Sequence, residues 1–358
     1  MKYLYCLKKY ENKINLRHTM RVIAIDAGAT KVSGGVVEKV NDTTFELVDP
    51  SVEIRYQEHP KFNLKFLPVP LDDQYSQTKI DRSEKQQGDI YIDCVLQVIN
   101  SLTNDKPFHF GIAIAGIKDL ANRGIKIMAN GPRIPDFSNR IEANIKKAMP
   151  QLESDANMCL WGEEYAKDGA LRHIENAYYL GGGTGTADGL KLKMNLIPFD
   201  NVSNWIGKAI ELKISNGQSL EEYSSMSGIN HLRSSLTNEA IGVVLGGLLF
   251  ERISTVYSGW KNQYIIDRDL QLTHDYYHTL LDRIVLGQQL SFFLRSHDGQ
   301  NINKSMKAEL TKLCFSAESQ IKTHFILNND FKSDRLFFSN LREAPIIGMG
   351  AKIWMTKC

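Results

Sequence analysis

Three short stretches of this chain combine residue types that can do chemistry at spacings that could serve it. The first is Arg21–Val37, RVIAIDAGATKVSGGVV, in which one apolar run ends on Asp26 and a turn of small residues leads through Thr30 and Lys31 into another. A carboxylate at a strand tip, beside a glycine turn with a hydroxyl and an ammonium, suits a phosphate and its metal ion. Gly28 lets the backbone approach an anion, Thr30 and Lys31 donate to it, and Asp26 can hold Mg²⁺ directly or through water. The same residues also spell an ordinary β-hairpin with a polar turn. The second stretch is Ser154-Asp155-Ala156-Asn157, followed by Trp161-Gly162-Glu163. Here a strand or loop hands over to a helix, whose N-terminus favours anions, and a carboxylate at that point can accept a proton from a substrate hydroxyl. A plain N-cap uses the same residue. The third stretch, Leu180–Gly189, reads LGGGTGTADG. It has the spacing of neither a P-loop nor a dinucleotide fingerprint. So many glycines are costly in entropy, and backbone N–H groups cradling phosphates would give them a purpose. A flexible surface loop is the other reading, and the apolar strands close on either side weigh against it.

The elements that must hold these residues follow from periodicity. Val22–Ile25 is short and β-rich enough for a strand buried on both faces, with Val32–Val37 returning beside it. Thr44–Val48 and Val52–Tyr56 read as a further strand pair, and the polar stretch Gln57–Gln87 as a long excursion over the surface. Asp89–Leu102 places Ile92, Val95, Leu96 and Ile99 on one helical face. Phe108–Ala115 is another buried strand, and Ile125–Met128 runs into a turn at Ala129-Asn130-Gly131-Pro132. Ser138 can N-cap a helix that Pro150 ends. The pattern then restarts: helix over Met158–Leu171, strand over Ala177–Leu180, glycine turn over Gly181–Gly189, strand over Leu190–Leu196. Helices are expected over Asn238–Val256, Tyr276–Leu281, Lys304–Thr323 and Pro345–Met355, with a short strand Arg283–Leu286 before Gly287. Strands alternating with helices make this an α/β protein.

The totals narrow the function classes. A length of 358 residues suggests about two domains. Lys+Arg (43) nearly balances Asp+Glu (41), so no overall field favours nucleic acid or an anionic membrane. Cys6, Cys94, Cys159, Cys314 and Cys358 are scattered, which excludes a local zinc knuckle and points to a reducing compartment, the cytoplasm. No apolar run approaches the ~18 residues of a membrane span. The N-terminal stretch is basic, lacks a signal-peptide core, and reads as a leader over residues 1–20, with Met20 an alternative start.

Taken together, in this order, the three stretches resemble the sugar-kinase, Hsp70 and actin-like ATPases, and in detail the ROK family (repressors, open reading frames and sugar kinases). The similarity runs from about residue 21 to residue 355. It passes through Asp26–Lys31, Asn130-Gly131-Pro132, Asp155-Ala156-Asn157, Gly162-Glu163, Leu180–Gly189, Ser219–Ser225, Arg283–Gly287 and the small-residue C-terminal helix with Gly348, Gly350 and Ala351. The resemblance implies two ribonuclease-H-like domains around a central cleft, over residues 21–153 and 154–344, with residues 345–358 packing back on the first. It implies ATP and Mg²⁺ as cofactors and a small-molecule sugar between the domains. It puts Asp155 on the catalytic base, Asp26 on the metal and phosphate position, and Gly28, Thr30, Lys31, Gly183, Thr184 and Gly185 on the phosphate hairpins. Gly287 falls in the adenosine-side loop, and Asn130 and Glu221 on sugar contacts. Dimers are common among such proteins.

The departures concern the sugar. Ser154 stands where the family usually has Asn before its base. The segment that supplies a Glu and a His to the sugar is not recognisable, with Glu211 as its stand-in, and the family's zinc loop is replaced by Gly217-Gln218-Ser219. The expected activity is ATP-dependent phosphorylation of a hexose or N-acetylhexosamine hydroxyl, as in a glucokinase. A catalytically impaired sugar-binding regulator is the alternative. The family's repressors carry a winged helix ahead of the first strand, and only about 20 residues precede Arg21, so no nucleic-acid partner is expected.

Overall fold

A computed structural model of the protein describes residues 20–76, 79–103 and 107–357; the expected leader, apart from Met20, lies outside them. The chain divides into two compact units. The first runs up to Met158 and takes in Tyr165–Lys167 and Pro345–Cys358; the second comprises Cys159–Glu164 and Asp168–Ala344. The division thus falls inside a helix, later than the expected 153/154 junction, and Asp155 stays with the first unit.

The first unit is built on β1 (Arg21–Ala27), β2 (Lys31–Asn41), β3 (Thr44–Leu47), β4 (Val52–Arg55), β5 (Phe108–Ile114), the small ribbon β6 (Ile117–Lys118) and β7 (Ile125–Ile127), and β8 (Glu153–Ser154). The main sheet has the order β3-β2-β1-β5-β8, with β1 and β2 antiparallel and β1, β5 and β8 parallel. β3 and β4 do not pair with each other as expected. Each pairs with β2, whose 11 residues are long enough to take both. Val22–Ile25 is wholly buried, as its unbroken apolar run requires. Glycines on β2 and β5 open the two faces of the sheet. A Cβ on Gly34 would stand 2.6 Å from Val98 on the helix Arg82–Thr103. A Cβ on Gly111 would stand 2.5 Å from Met349 on the closing helix Ala344–Lys357, whose Trp354 indole also donates to the Val37 carbonyl at 2.8 Å.

The second unit repeats the scheme. Its strands are β9 (Ala177–Gly182), β10 (Thr186–Leu192), β11 (Asn195–Ile197), β12 (Arg283–Gly287), the ribbon β13 (Ile326–Leu327) and β14 (Asp330–Phe331), and β15 (Leu336–Phe338). The order β11-β10-β9-β12-β15, antiparallel then parallel, matches the first sheet strand for strand. The echo heard in the sequence is therefore a repeat of topology. Its core surrounds the helix Asn238–Ser258, where Gly242 and Gly246 let the helix Gln300–Ser316 pass close enough that a Cβ would meet the Ile302 and Met306 carbonyls at 2.4 and 2.5 Å. By length and composition that helix could cross a membrane, which the sequence reading overlooked. With 72% of its most apolar window buried within the protein, it is a core helix.

Other boundaries moved. The first long helix begins at Arg82, before the expected Asp89. The expected helix Met158–Leu171 is instead Asp155–Tyr165, and Tyr276–Leu281 is irregular. Lys304–Thr323 is two helices, Gln300–Ser316 and Ser319–Phe325, broken where Ala317 turns extended. Asp136, not Ser138, stands before the helix Phe137–Ile145; Ser138 is inside it, its hydroxyl buried without a partner among the described residues.

Candidate active site

In the first unit the chemistry gathers at the carboxyl ends of the parallel strands, the edge where open α/β sheets present ligand sites. Asp26 on β1 is in register with Ala113 on β5, and Ala113 with Glu153 on β8. Asp155 follows directly as the first residue of its helix. Asp26 and the start of that helix are thus separated by one intervening strand, roughly 10 Å at the backbone. The Ala156 N–H donates to Asp155 Oδ1 at 2.9 Å, and the carboxylate's other oxygen is left for a further partner. The hairpin turn Gly28–Thr30 follows Asp26, and the Lys31 ammonium pairs with Glu53 on β4. Tyr91 joins the exposed turn at Asn130 to this hairpin. Its hydroxyl donates to the Ala29 carbonyl, and a Cβ on Gly131 would lie 3.0 Å from the same oxygen. Asp26, Gly28, Thr30, Lys31 and Asp155 thus lie at one end of the first sheet, and Tyr91 ties the turn that holds Asn130 to the hairpin.

The carboxyl of Asp26 is pushed up to about 7, first by burial and then by the negative charge of Asp155, against the pull of Lys31. A buried carboxyl raised further by a neighbouring carboxylate is the kind of site a divalent cation relieves. Among the described residues no cluster of three or more metal-ligating side chains exists. Mg²⁺ is commonly held by one or two carboxylates plus substrate phosphates and water, and the donor set fits that habit.

In the second unit the turn between β9 and β10 is only Gly183–Gly185, shorter than the expected Gly181–Gly189, because the flanking glycines pair as strand. Gly181 is in register with Gly287 of β12, so the glycine turn and the Gly287 junction lie at one end of the second sheet. Gly181 and Gly287 are demanded by packing: a Cβ would meet the Tyr179 hydroxyl at 2.7 and 2.3 Å. Gly183 is not, with nothing within 4 Å of its Cβ position. Space that the fold does not fill stands open at that turn. Thr184 follows in the turn, and its carbonyl accepts from the Ser227 hydroxyl. Glu221 braces the hairpin from behind, accepting the Thr186 N–H at 3.0 Å.

Glu211 is placed differently from its expected role. Its segment lies against that of Glu221, with Glu221 N–H on the Ala209 carbonyl at 3.1 Å. Its carboxylate, however, is taken by Arg268 at 3.1 and 3.0 Å and by the Lys208 N–H at 2.7 Å. Sequence reasoning missed Arg268 and also Arg252, a guanidinium buried completely among Asp188, Glu251 and the Gly207 carbonyl. The Glu251-Arg252 pair following the apolar run 241–250 of this helix was the available signal.

Glu163 is another buried acid. One oxygen accepts from Ala170 N–H at 2.9 Å and the other has no hydrogen-bond partner among the described residues. Burial raises its carboxyl from 4.5 to about 7, against the Ser339 and Ala170 contacts. The folded chain therefore holds this proton more tightly than the unfolded one, and the stability it contributes below pH 4.5 is lost as pH rises through 7. Glu163→Gln, which cannot ionise, is expected to gain about 3 kcal/mol on the wild type between pH 5 and pH 8. Denaturant melts at the two pH values measure this, and a pH-independent difference would refute it.

The sequence matches no family model and no curated protein. The structure aligns with solved sugar kinases over nearly its whole length. An inorganic polyphosphate/ATP-glucomannokinase from Arthrobacter sp. strain KM matches 94% of this chain and 99% of its own at 15% identity and a TM-score of 0.57. A ROK family glucokinase from Streptomyces griseus, in complex with glucose and AMPPNP, covers 93% of this chain and 98% of its own at 13% identity and a TM-score of 0.55. A ROK family transcriptional regulator, homologous to the E. coli Mlc protein, matches at 10% identity and a TM-score of 0.50, over 93% of this chain and 78% of its own. At these identities the likeness is one of fold: the chain has the two-domain actin-like ATPase fold of the ROK sugar kinases.

Proposed function

We propose that this protein is an ATP-dependent sugar kinase that phosphorylates a hydroxyl of a hexose or N-acetylhexosamine. The observation that carries the reading is the placement of Asp26 and Asp155 at one sheet edge, one strand apart, beside a hairpin with the make-up of a phosphate turn. Asp155 accepts the acceptor's proton as its oxygen attacks the γ-phosphorus and the bond to the β–γ bridging oxygen breaks. The protein's work is otherwise positioning and charge neutralisation. Thr30 and Lys31 donate to phosphate oxygens, as do the backbone N–H groups around Gly28 and Gly183–Gly185, and Gly287 borders the adenosine. Asp26 would hold Mg²⁺, which supplies neutralisation of the charge on the transferred phosphoryl group. Asn130 and Glu221 serve the sugar.

The direct test is ATP consumption with glucose, mannose, N-acetylglucosamine and N-acetylmannosamine; no consumption above background with any acceptor defeats the proposal. A second variant probes the nucleotide side. Because neither packing nor backbone angle demands glycine at 183, Gly183→Ala is expected to leave the melting temperature unchanged or slightly raised. It should nevertheless weaken ATP binding at least ~10-fold, by placing a methyl where backbone must meet phosphate. Undiminished affinity by calorimetry would remove this turn from the nucleotide site.

One observation favours a second reading, a sugar-binding regulator without catalysis: Glu211, the stand-in for the family's missing sugar Glu, is consumed by Arg268. Sugar binding by calorimetry in the absence of any ATP turnover would select it.

A further inference from the structure

The polar stretch after β4 is not a loose excursion. It grips the Asn130 turn at both ends. Gln74, in the short helix Leu71–Tyr75, is only 1% exposed. Its side-chain carbonyl accepts the Met128 N–H at 2.8 Å, and its amide donates to the Met128 carbonyl at 3.1 Å and to that of Val69 at 2.6 Å. Beyond the turn, Glu84 is equally buried and holds Arg133 three ways: the backbone N–H at 2.9 Å, Nε at 2.8 Å and Nη2 at 2.7 Å. Between these grips lie only Ala129-Asn130-Gly131-Pro132, with Ala129 and Asn130 exposed.

Burying an amide and an ion pair costs more than apolar tethering would, unless orientation is what is being secured. One side chain that satisfies both backbone groups of a single residue fixes its direction as a strand neighbour would. A carboxylate meeting Arg133 in a fork fixes the other end. We propose that Gln74 and the Glu84–Arg133 pair are positioning residues for the sugar acceptor, and that the segment Gln57–Gln87 thereby governs which acceptor the Asn130 turn accommodates. This rests on the kinase reading, in which Asn130 contacts the sugar. Tyr91, bonded to Ala29 and touching Gly131, ties the turn's position to the phosphate hairpin.

The test is steady-state kinetics on two variants with glucose and N-acetylglucosamine as acceptors. Gln74→Met keeps the side chain's length and removes both bonds to Met128. The double variant Glu84→Leu/Arg133→Met removes the second grip together with both charges, so that no lone charge is buried and the fold is retained. A displacement of about 1 Å at the acceptor is worth up to ~100-fold. Each variant is therefore expected to lose 10- to 100-fold in kcat/KM for the acceptor, mostly in KM, with the ratio between the two acceptors shifted and the KM for ATP within ~3-fold of wild type. Unchanged acceptor constants in both variants overturn the proposal while leaving the kinase reading intact. So does a parallel loss for acceptor and ATP that tracks the melting temperature, since that is general loosening. A wild type inert toward every acceptor overturns the kinase reading itself, and this proposal with it.

Discussion

Asp155→Asn is expected to lower turnover by at least ~100-fold and to leave nucleotide binding where it was, since a positioned base is typically worth ~10²–10⁴ in rate. The amide is isosteric and can still accept the Ala156 N–H that Asp155 Oδ1 receives at 2.9 Å, so the helix start is undisturbed. What disappears is the capacity to take a proton from the attacking hydroxyl. The substitution also removes the charge that helps raise Asp26. Affinity for Mg²⁺·ATP, read by calorimetry, is therefore a needed control, and turnover measured at saturating nucleotide isolates the chemical step. Near-normal turnover would remove Asp155 as the base and with it the assignment of roles at this edge.

Arg252→Met is expected to cost the protein about 3–5 kcal/mol, the usual penalty for stranding buried carboxylates. Arg252 is fully buried, and its guanidinium donates to the Gly207 carbonyl at 2.6 Å, faces Asp188 at 3.3 Å and pairs with Glu251 at 3.0 Å. Asp188 in turn accepts from the Tyr178 hydroxyl at 2.6 Å and from Ala209 N–H at 2.7 Å, so the segment leading to Glu211 hangs from this cluster. At ~2–4 °C per kcal/mol, a fall of roughly 10 °C in the second unit's calorimetric transition is the measurable result. Replacing Glu251 by Met in the same chain should recover part of it, because one stranded charge goes too. A loss under 1 kcal/mol would mean that water reaches these carboxylates once the guanidinium is gone.

The central strands and both hairpins were legible because their physics is local; the short strands β6, β8, β13, β14 and β15 were not. Val22–Ile25 and Ala177–Leu180 are unbroken apolar runs, and each ends where a carboxylate or glycines break the pattern. The repeated order of strands could be anticipated from the two glycine turns, but their lengths could not. Gly181 and Gly182 look like loop residues and are strand, held so by register with β12 and by the ring of Tyr179 beneath. What escaped the sequence was whatever depends on distant partners. Nothing around Glu211 announces Arg268, 57 residues away in the chain. Gln74 sits in a stretch with no periodicity, and only Met128 gives it a purpose. The split of Lys304–Thr323 was missed because apolar spacing continues across Ala317 while the backbone does not.

The closing helix has a bearing on biogenesis. Residues 345–357 fill the pit left by Gly111 and cover Val37, on strands made well before them. As the nascent chain leaves the ribosome, the first sheet can pair but one of its faces stays uncapped until the whole second unit has been synthesised. Maturation therefore runs against the order of synthesis: the later-made half can complete its interior first, and the earlier half waits on its last-made piece.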